Sequence, residues 1–579
     1  MEKSQIDSQA ILSLFTEDIK TNSIHERLFT AGNMWLVAAA LGPEKTRSEL
    51  IPFLMQDNHF EGEIKAIIAE QLGDFVKYVG GPQYAACIIN PLKNLIDSDE
   101  VFVREKAIES LAIVCSSVPV SSRDTIITNL LTQLFQAPYI TSRIAGCSLL
   151  PKVYEMVTDQ NKAKLRRGFI ACTRFETPIV RRAALHAVQV LTSILNQNVV
   201  LSEIVRQVLT ERLNDDDESI RVMIPDCLPA VVAKIANTER HSVLVPLARA
   251  LTKDSSWRVR ANLAKTLPQI VPYFAADLVS SDIGAIILFL LRDFDPEVKT
   301  AACGCCKQIV DVLVKVPTYF NDVVLPEIIT LSMDKFEQVR EEVAADILAF
   351  ARVTGESVAR ERLYPILCAL IEDENRDVVI AALKNMGSNF TMIDSYSVTQ
   401  VVLPNLIEIA TKKDFRVEME IIDLLELFLP YVTPEAIPKQ IIPLIREWLR
   451  DIAFAVREEI CKSLPGIISV INNPEITEMI LELLVSLIYD PTYSIRQSAL
   501  MAIYYISDVL SNDENTEKVL PSVILMSSDP IPNVRILCAK VLVKLKKCVN
   551  TKGISQINLS LKLLRKDSDK DVKYFATNS

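Results

Sequence analysis

The sequence predicts an all-α protein, a solenoid of about fifteen stacked helical hairpins, and three interleaved ladders carry that prediction. The first is basic. A Lys or Arg closes the same local phrase, a short acidic turn followed usually by Val or Ile, at Arg27, Lys65, Arg104, Arg143, Arg181, Arg221, Arg260, Lys299, Arg340, Arg457, Arg496, Arg535 and Lys573. The steps run from 38 to 41 residues, and the gap of 117 after Arg340 is three steps of 39, with Ile380 and Glu418 on the silent beats. The second ladder is Pro52, Pro91, Pro246, Pro326, Pro365, Pro404, Pro443 and Pro521, 13 to 15 residues before the register position. The third is Asp215, Asp254, Asp293, Asp334, Asp451, Asp490, Asp529 and Asp567, six residues before the basic residue. A period of this size marks a solenoid, whose units are each too small to bury their own apolar face and must stack on their neighbours.

Residues 401–430 show how one unit is built. Val401, Leu403, Leu406, Ile407 and Ala410 repeat at helical spacing and give one apolar face. Thr411 to Asp414 interrupt it with polar residues, and Val417, Ile421, Leu424, Leu425 and Phe428 resume it until Leu429-Pro430. The unit is a helical hairpin with a short turn. The ladder proline either sits in the first turn of a helix, where its missing N–H costs nothing, or kinks the first helix. The ladder Asp caps the second helix or the turn. The basic residue has two readings: a column of contacts for an acidic partner, or a clip onto turn acids and carbonyls of its own or the adjacent repeat. Recurrence in nearly every repeat favours the clip, as partly exposed pairs worth little stability each.

A length of 579 residues suggests several globular domains, but the unbroken period and the absence of a Gly/Ser-rich or charged linker override that. Residues are 49% apolar and only 6% aromatic, as expected for stacked helices. A net charge of −11 argues against a general nucleic-acid binder, which needs a basic face. No run of 18 uncharged apolar residues predicts a membrane span, and Met1-Glu2-Lys3-Ser4-Gln5 does not open a secretory signal. The twelve Cys, among them Cys87, Cys147, Cys172, Cys227 and Cys368, lack paired spacings and read as small buried residues kept as thiols. The expected setting is cytoplasmic, with the nucleus also open.

Catalytic patterns are missing. His25, His59, His186 and His241 are far apart in register, with no His-x-x-x-His or Cys-x-x-Cys. Cys303, Cys305 and Cys306 fall on one second helix and read as packing. Gly80-Gly81-Pro82 reads as a turn between repeats, without the Lys and Ser/Thr of a phosphate loop. Asp215-Asp216-Asp217-Glu218 reads as a solvated turn, lacking the alternation of a calcium loop. The chain is not expected to be an enzyme. What the turns do carry is aromatic residues among polar ones: Phe102, Trp257, Phe294, Phe336, Phe415, Phe454 and Tyr493. Exposed aromatics beside Arg are common interface anchors. For Phe102, Phe294 and Phe336 a side chain tucked over the neighbouring turn is an equal alternative.

The phrase Leu-Pro, Asp, Val-Arg at this period resembles the HEAT repeat. LGPEKTRSELIPFL (41–54), AEQLGDFVKYVGGPQY (69–84), TPIVRRAA (177–184), DSSWRVR (254–260) and DVKYFA (571–576) go further. They resemble the scaffolding A (65 kDa) subunits of protein phosphatase 2A, over the whole chain and with the same repeat count. The resemblance implies a right-handed superhelical horseshoe with no chemistry, metal or cofactor of its own, working in a hetero-oligomer. In it a heterodimer core of scaffold and catalytic subunit is completed to a heterotrimer by an interchangeable regulatory B-type subunit. The intra-repeat turns would form the binding ridge. Repeats 1–8 (about 1–310) would take the regulatory subunit through Pro178, Arg181, Arg182, Ser256, Trp257 and Arg258. Repeats 11–15 (about 395–579) would take the phosphatase catalytic subunit through Phe415, Arg416, Phe454, Tyr493, Pro532 and Asn533. This sequence departs from the family at Phe415-Arg416-Val417-Glu418, where the family has Trp-Arg-Val-Arg, at Phe454 in place of Tyr, and in the first repeat with Trp35. Those changes bear on how strongly the catalytic subunit is held.

Two rivals remain: a HEAT-repeat nuclear transport receptor or other protein-binding solenoid, and an enzyme with a grafted metal centre. Transport receptors are longer, less regular and carry long acidic loops, and the metal centre would need His/Asp clusters. Because solenoid units touch only nearest neighbours, small changes at each interface sum to a large change in end-to-end distance. Such flexing is expected to accommodate different regulatory subunits, and solution scattering that shows one rigid curvature with and without partners would overturn that.

Overall fold

The computed structural model describes residues 8–20, 23–56, 60–412 and 414–577. His59, the opening Met1 to Gln5 and the Val401 side chain lie outside the described residues. Among those described there is no strand, and the chain is a succession of helical hairpins. It forms two compact units, residues 1–290 and 291–579. The boundary falls within the helix Gly284–Leu291 rather than at a linker. Within each unit the second helices of successive repeats pack side by side, Gly62–Gly73 on Val101–Ser117 in the first and Phe415–Phe428 on Phe454–Ile471 in the second.

The eleventh repeat is the hairpin its sequence describes. Leu403–Ala410 and Phe415–Phe428 flank the polar break, and Val417, Ile421, Leu424, Leu425 and Phe428 are all buried as expected. On the first helix Leu406 and Ala410 are buried, but Leu403 and Ile407 are only half-buried, and Val402 and Ile409 take the buried places instead. The cap is Asp414, whose carboxylate accepts the N–H groups of Arg416 and Val417 at 3.0 and 3.5 Å.

The proline ladder has a single cause in six repeats. Pro52, Pro326, Pro365, Pro404, Pro443 and Pro521 each stand two residues after a π-helical turn, for example Ala359–Leu363 before Pro365. Proline has no N–H to give the carbonyl four residues back, and its ring crowds that carbonyl. The turn ahead of it widens and the α-helix restarts with proline in its first turn. At these six both sequence-based alternatives hold together. Pro91 and Pro246, in contrast, lie within Ile89–Leu95 and Asn237–Leu251 with no such turn, and the π-helical turns Val200–Leu209 and Val279–Ile283 form without a proline two residues on. Gly80 and Gly81, at φ 101° and 99°, make the tight turn into Pro82 that the sequence suggested, a backbone region open to glycine.

The basic ladder is a clip between consecutive turns. Arg496 donates through Nη1 to the carbonyl of Asp490 in its own turn at 2.9 Å, and through Nε and Nη2 to the Asp529 carboxylate of the next at 2.7 and 3.0 Å. Arg535 repeats this with Asp529 and Asp567, Arg340 with Asp334 and Asp373, and Arg221 with Asp215 and Asp254. Each of these ladder Asp residues that caps its turn accepts the N–H two residues on, as Asp490 does from Thr492 at 2.8 Å. In repeats 3 and 4 the clip reaches carbonyls, as Arg104 does to Ser98 and Asp99 at 2.8 Å and Arg143 to Phe135. Arg27, however, reaches the Glu61 carboxylate at 2.9 Å, and Arg181 those of Asp215 and Asp216.

Three sequence-based expectations are corrected here. The tenth beat is Val379, not Ile380. Val379 is buried, 39 residues after Arg340 and six after Asp373, which the acidic ladder had omitted. The acidic run at 215–218 is not simply solvated: the Asp215 side chain is 1% exposed and holds both Arg181 and Arg212. Several clips are buried rather than half-exposed, with Arg496 and Asp529 at 11% and 3%. Ten of the twelve thiols are buried as expected, Cys147, Cys172, Cys227 and Cys368 among them, but Cys87 and Cys548 are only half-buried. Burial pushes the Cys303 and Cys306 thiols well up, so both stay neutral.

Breaking a buried pair by removing one partner strands a charge. Arg496→Met is expected to cost about 3–5 kcal/mol, whereas Arg174→Met, in the exposed pair with Glu211 at 44% and 40%, should cost about 0–1 kcal/mol. Denaturant unfolding of both variants checks this. The clips also set an acid limit. Arg535 holds the Asp567 carboxyl below its usual range against the opposing pull of burial. For Asp373 burial pushes upward, but Arg340 and the Asn375 N–H outweigh it and the net direction is down. A carboxyl whose folded pKa lies below its unfolded value stabilises above about pH 4, and that stability is lost as pH falls through the folded value. Stability should hold down to about pH 5 and then fall, less steeply in Asp567→Asn, as measured by denaturant titration across pH.

Candidate docking ridge

Where it is present the clip fixes the first turn of the second helix, and the residue that opens that helix faces outward. Asp at one end and Arg six residues later are turned inward to each other's neighbours, so the residue three before the Arg opens the helix on the outside. That residue is Pro178 and Trp257 in the first unit. In the second it is Phe415, Phe454, Tyr493 and Pro532.

In the second unit Phe415, Phe454 and Tyr493 are 43%, 58% and 48% exposed, too open for core residues. Arg416 and Arg457 lie over the rings of Phe415 and Phe454, both at 5.6 Å. Asn533 is exposed and Pro532 half-buried. One residue of the ridge escaped the sequence reading: Ile452 is 99% exposed. A β-branched residue directly after a ladder Asp was the available signal, since Pro491 and Pro530 hold that place in the next two turns. Phe294 is exposed, and Phe336 is half-buried with Lys335 over its ring at 4.7 Å.

In the first unit Trp257 is half-buried, its ring under Arg258 at 4.8 Å, and Arg258 reaches Glu218 of the preceding turn at 3.1 Å. The Ser256 hydroxyl accepts the Arg258 N–H at 3.2 Å. Arg182 is exposed, and Phe102 lies 46% open. Arg181 is different. It is 4% exposed, with Nη1 on the carbonyls of Phe175 and Glu176 and Nη2 on Asp215 and Asp216. It belongs to the clip and offers a partner no guanidinium face.

The eleventh repeat reverses the clip. Lys412 stands in the place of the ladder Asp and Glu418 in that of the Arg. Glu418 shares a cleft with Asp451 of the twelfth turn, a like charge, where other repeats put a guanidinium. Asp451 caps its own turn through the Ala453 N–H at 2.7 Å. Glu418 is buried, and the cleft beside it, of about 570 Å³, is walled by Phe415, Leu444, Trp448, Asp451 and Ile452. Arg450, on the rim, pairs instead with Asp490 at 2.9 Å.

Among the described residues no group of three or more His, Cys, Asp or Glu could hold a metal ion, and no helix is long and apolar enough to cross a membrane. His241 is engaged by Asp282 at 2.6 Å.

No family model matches the chain. The regulatory A subunit of protein phosphatase PP2A from Schizosaccharomyces pombe is 31% identical over 283 residues, 48% of each chain. The same-named protein of Saccharomyces cerevisiae is 32% identical over 279 residues, 46% of this chain and 44% of that one. The beta isoform of the human 65 kDa regulatory A subunit is 28% identical over 382 residues, 66% and 63%. The chain is similar to the A subunits of protein phosphatase 2A. The matched stretch spans about half the length of the yeast relatives. All three are named regulatory subunits, not catalytic ones, which bears out the non-enzymatic reading. Among solved structures, Kap121p matches with a TM-score of 0.63 at 12% identity, over 97% of this chain and 59% of that one. Importin beta matches at 0.53 and 12%, over 97% and 81%. These likenesses show the all-α solenoid fold alone.

Restoring the clip tests the origin of the cleft. Glu418→Arg should bring a guanidinium to Asp451, fill the cleft and raise unfolding stability by about 1–2 kcal/mol, while Glu418→Gln should change it far less; thermal unfolding of the two separates them.

Proposed function

We propose that the protein is the non-catalytic scaffold of a serine/threonine phosphatase assembly. Its second unit holds the catalytic subunit on the ridge of Phe415, Arg416, Phe454, Tyr493, Pro532 and Asn533. Its first unit receives an interchangeable regulatory subunit through Pro178, Arg182, Ser256, Trp257 and Arg258. The mechanism is geometric: two partners held on one ladder of turns fix which substrates reach the active site of the catalytic one. The observation that carries this reading is the row of exposed aromatics, each opening a second helix at the same register in repeats 11 to 13. Such rings, set beside arginines, are the residue types that dominate binding energy at protein interfaces. The similarity to the named phosphatase relatives supports this choice of partners, and the cytoplasm is the setting that accords with it.

At repeat 11 the reading has a specific corollary. Phe415 keeps an apolar anchor, but Glu418 and the cleft beside it change what the partner meets, so the grip is expected to rest more on Phe454, Ile452 and Tyr493.

Recovery of partners on the immobilised chain tests the proposal. Phe415→Ala combined with Tyr493→Ala should lose the phosphatase catalytic subunit, at a cost of about 2 kcal/mol or more for each anchor. Trp257→Ala should retain the catalytic subunit but weaken the regulatory one. Recovery of a small GTPase, with no phosphatase, would overturn the reading in favour of transport.

A further inference from the structure

The charge of the chain is not evenly spread. Residues 535–579 carry eleven Lys and Arg against three Asp, a basic surplus in a protein whose net charge is −11. Part of that surplus is drawn up in one line. Asn533, Leu537, Lys540, Lys544 and Lys547 fall at helical spacing along and just beyond the second helix of repeat 14, Pro532–Leu545, and so share one stripe. Ser494, Gln497, Met501, Tyr504 and Asp508 make the facing stripe along and just beyond Tyr493–Ile506 of repeat 13.

Between the stripes runs a groove. Its end at the ridge is a hollow of about 280 Å³ that touches Phe454 and Asn533. Its inner end is a wider one of about 710 Å³ floored by Tyr504, Tyr505 and Phe575 and edged by the three lysines. Met501, Leu537 and Lys540 line both, so the two hollows are continuous. The lysines are poised differently. Lys544 pairs with Asp508 at 2.8 Å and lies over the Tyr504 ring at 4.4 Å. Lys540 rests on Phe575 at 4.2 Å. Among the described residues Lys540 and Lys547 form no ion pair, and both are exposed.

We propose that this groove is a docking site for an acidic peptide segment of a protein partner, a short stretch of Asp and Glu carrying one aromatic or aliphatic side chain. The charge complementarity is local, since the positive row stands in an otherwise acidic protein. The aromatic floor gives the apolar side chain a seat that a bare charged surface would lack. From Asn533 to Lys544 the helix rises about 16 Å, the span of about five residues of extended chain. Carboxylates reaching Lys540 and Lys547 would make charge-assisted hydrogen bonds with exposed cations that form no ion pair among the described residues, although Asp508, paired with Lys544, also acts on Lys547 at longer range. A nucleic acid is less well matched, because its repeated phosphates ask for an extended basic face and the chain as a whole carries a net charge of −11. This inference goes beyond the scaffold reading and does not depend on the catalytic subunit being the partner on the ridge.

The test uses the full chain and a fluorescein-labelled peptide of Asp and Glu with one central Phe, compared with the same peptide carrying Asn and Gln. The acidic peptide should bind, lose affinity between about 50 and 300 mM salt as exposed charges are screened, and weaken about tenfold or more in Lys540→Glu combined with Lys547→Glu. Both lysines are exposed, so circular dichroism should report an unchanged fold. Met501→Ala should weaken the peptide with Phe more than one with Ala in its place. Equal binding to wild type and the charge-reversed variant, or no preference for the acidic over the neutral peptide, would overturn the proposal. So would tighter binding of oligo-dT or phosphatidylserine vesicles than of the acidic peptide. Retention of the phosphatase by the charge-reversed variant leaves the two readings separable, since that partner is read on the ridge.

Discussion

The hydrogen-bonded clip from the arginine of one turn to the aspartate of the next is the constraint on which the rest of the molecule depends. A solenoid has no central core, so each hairpin must be told where its neighbour sits. Apolar stacking supplies attraction but tolerates sliding. A guanidinium fork set between a backbone carbonyl of its own turn and a carboxylate of the following one does not, because its donors are rigid and planar. The ladder aspartate meanwhile ties down its own turn through the N–H two residues on. The same few groups thus close a turn, start a helix and fix the distance to the next repeat.

The ridge is a by-product of that arrangement. With Asp and Arg both turned inward, the residue that opens each second helix has nowhere to go but outward. Scattered through a globular protein, a half-open Phe, Phe and Tyr would mean little. Set at one register in consecutive repeats, they become a row.

Much of this was legible in the sequence because the controlling interactions are local and repeat. The hairpin of residues 403–428, its polar break and the buried face of its second helix follow from helical spacing alone. On the first helix, apolar nearly all round, spacing could not choose Val402 and Ile409 over Leu403 and Ile407. The Pro ladder was legible too, although the widened turn ahead of six of its prolines was not, since nothing in the residues themselves announces a shift from one hydrogen-bond pattern to another. Reading the tenth beat as Ile380 missed Asp373, although the step of 39 from Arg340 to Val379 and on to Glu418 was there to be counted; what the structure adds is that Asp373 receives Arg340. The burial of Arg181 and Asp215 was likewise out of reach, because exposure depends on how closely neighbouring turns approach. The basic groove between repeats 13 and 14 needed both helices in place before its lysines could be seen to share a side.

The reversed turn of repeat 11 shows what this design permits. Position along the chain is encoded many times over, once in each repeat, in the manner of a message sent with redundancy. Losing the signal at Val379 and inverting it at Lys412 and Glu418 leaves the count intact, as Arg457, Arg496 and Arg535 resume in step. A chain built this way can carry a local error without a frame shift, so one repeat is free to change its surface while the others keep time. Novelty in such a protein is cheapest where the signal has already lapsed.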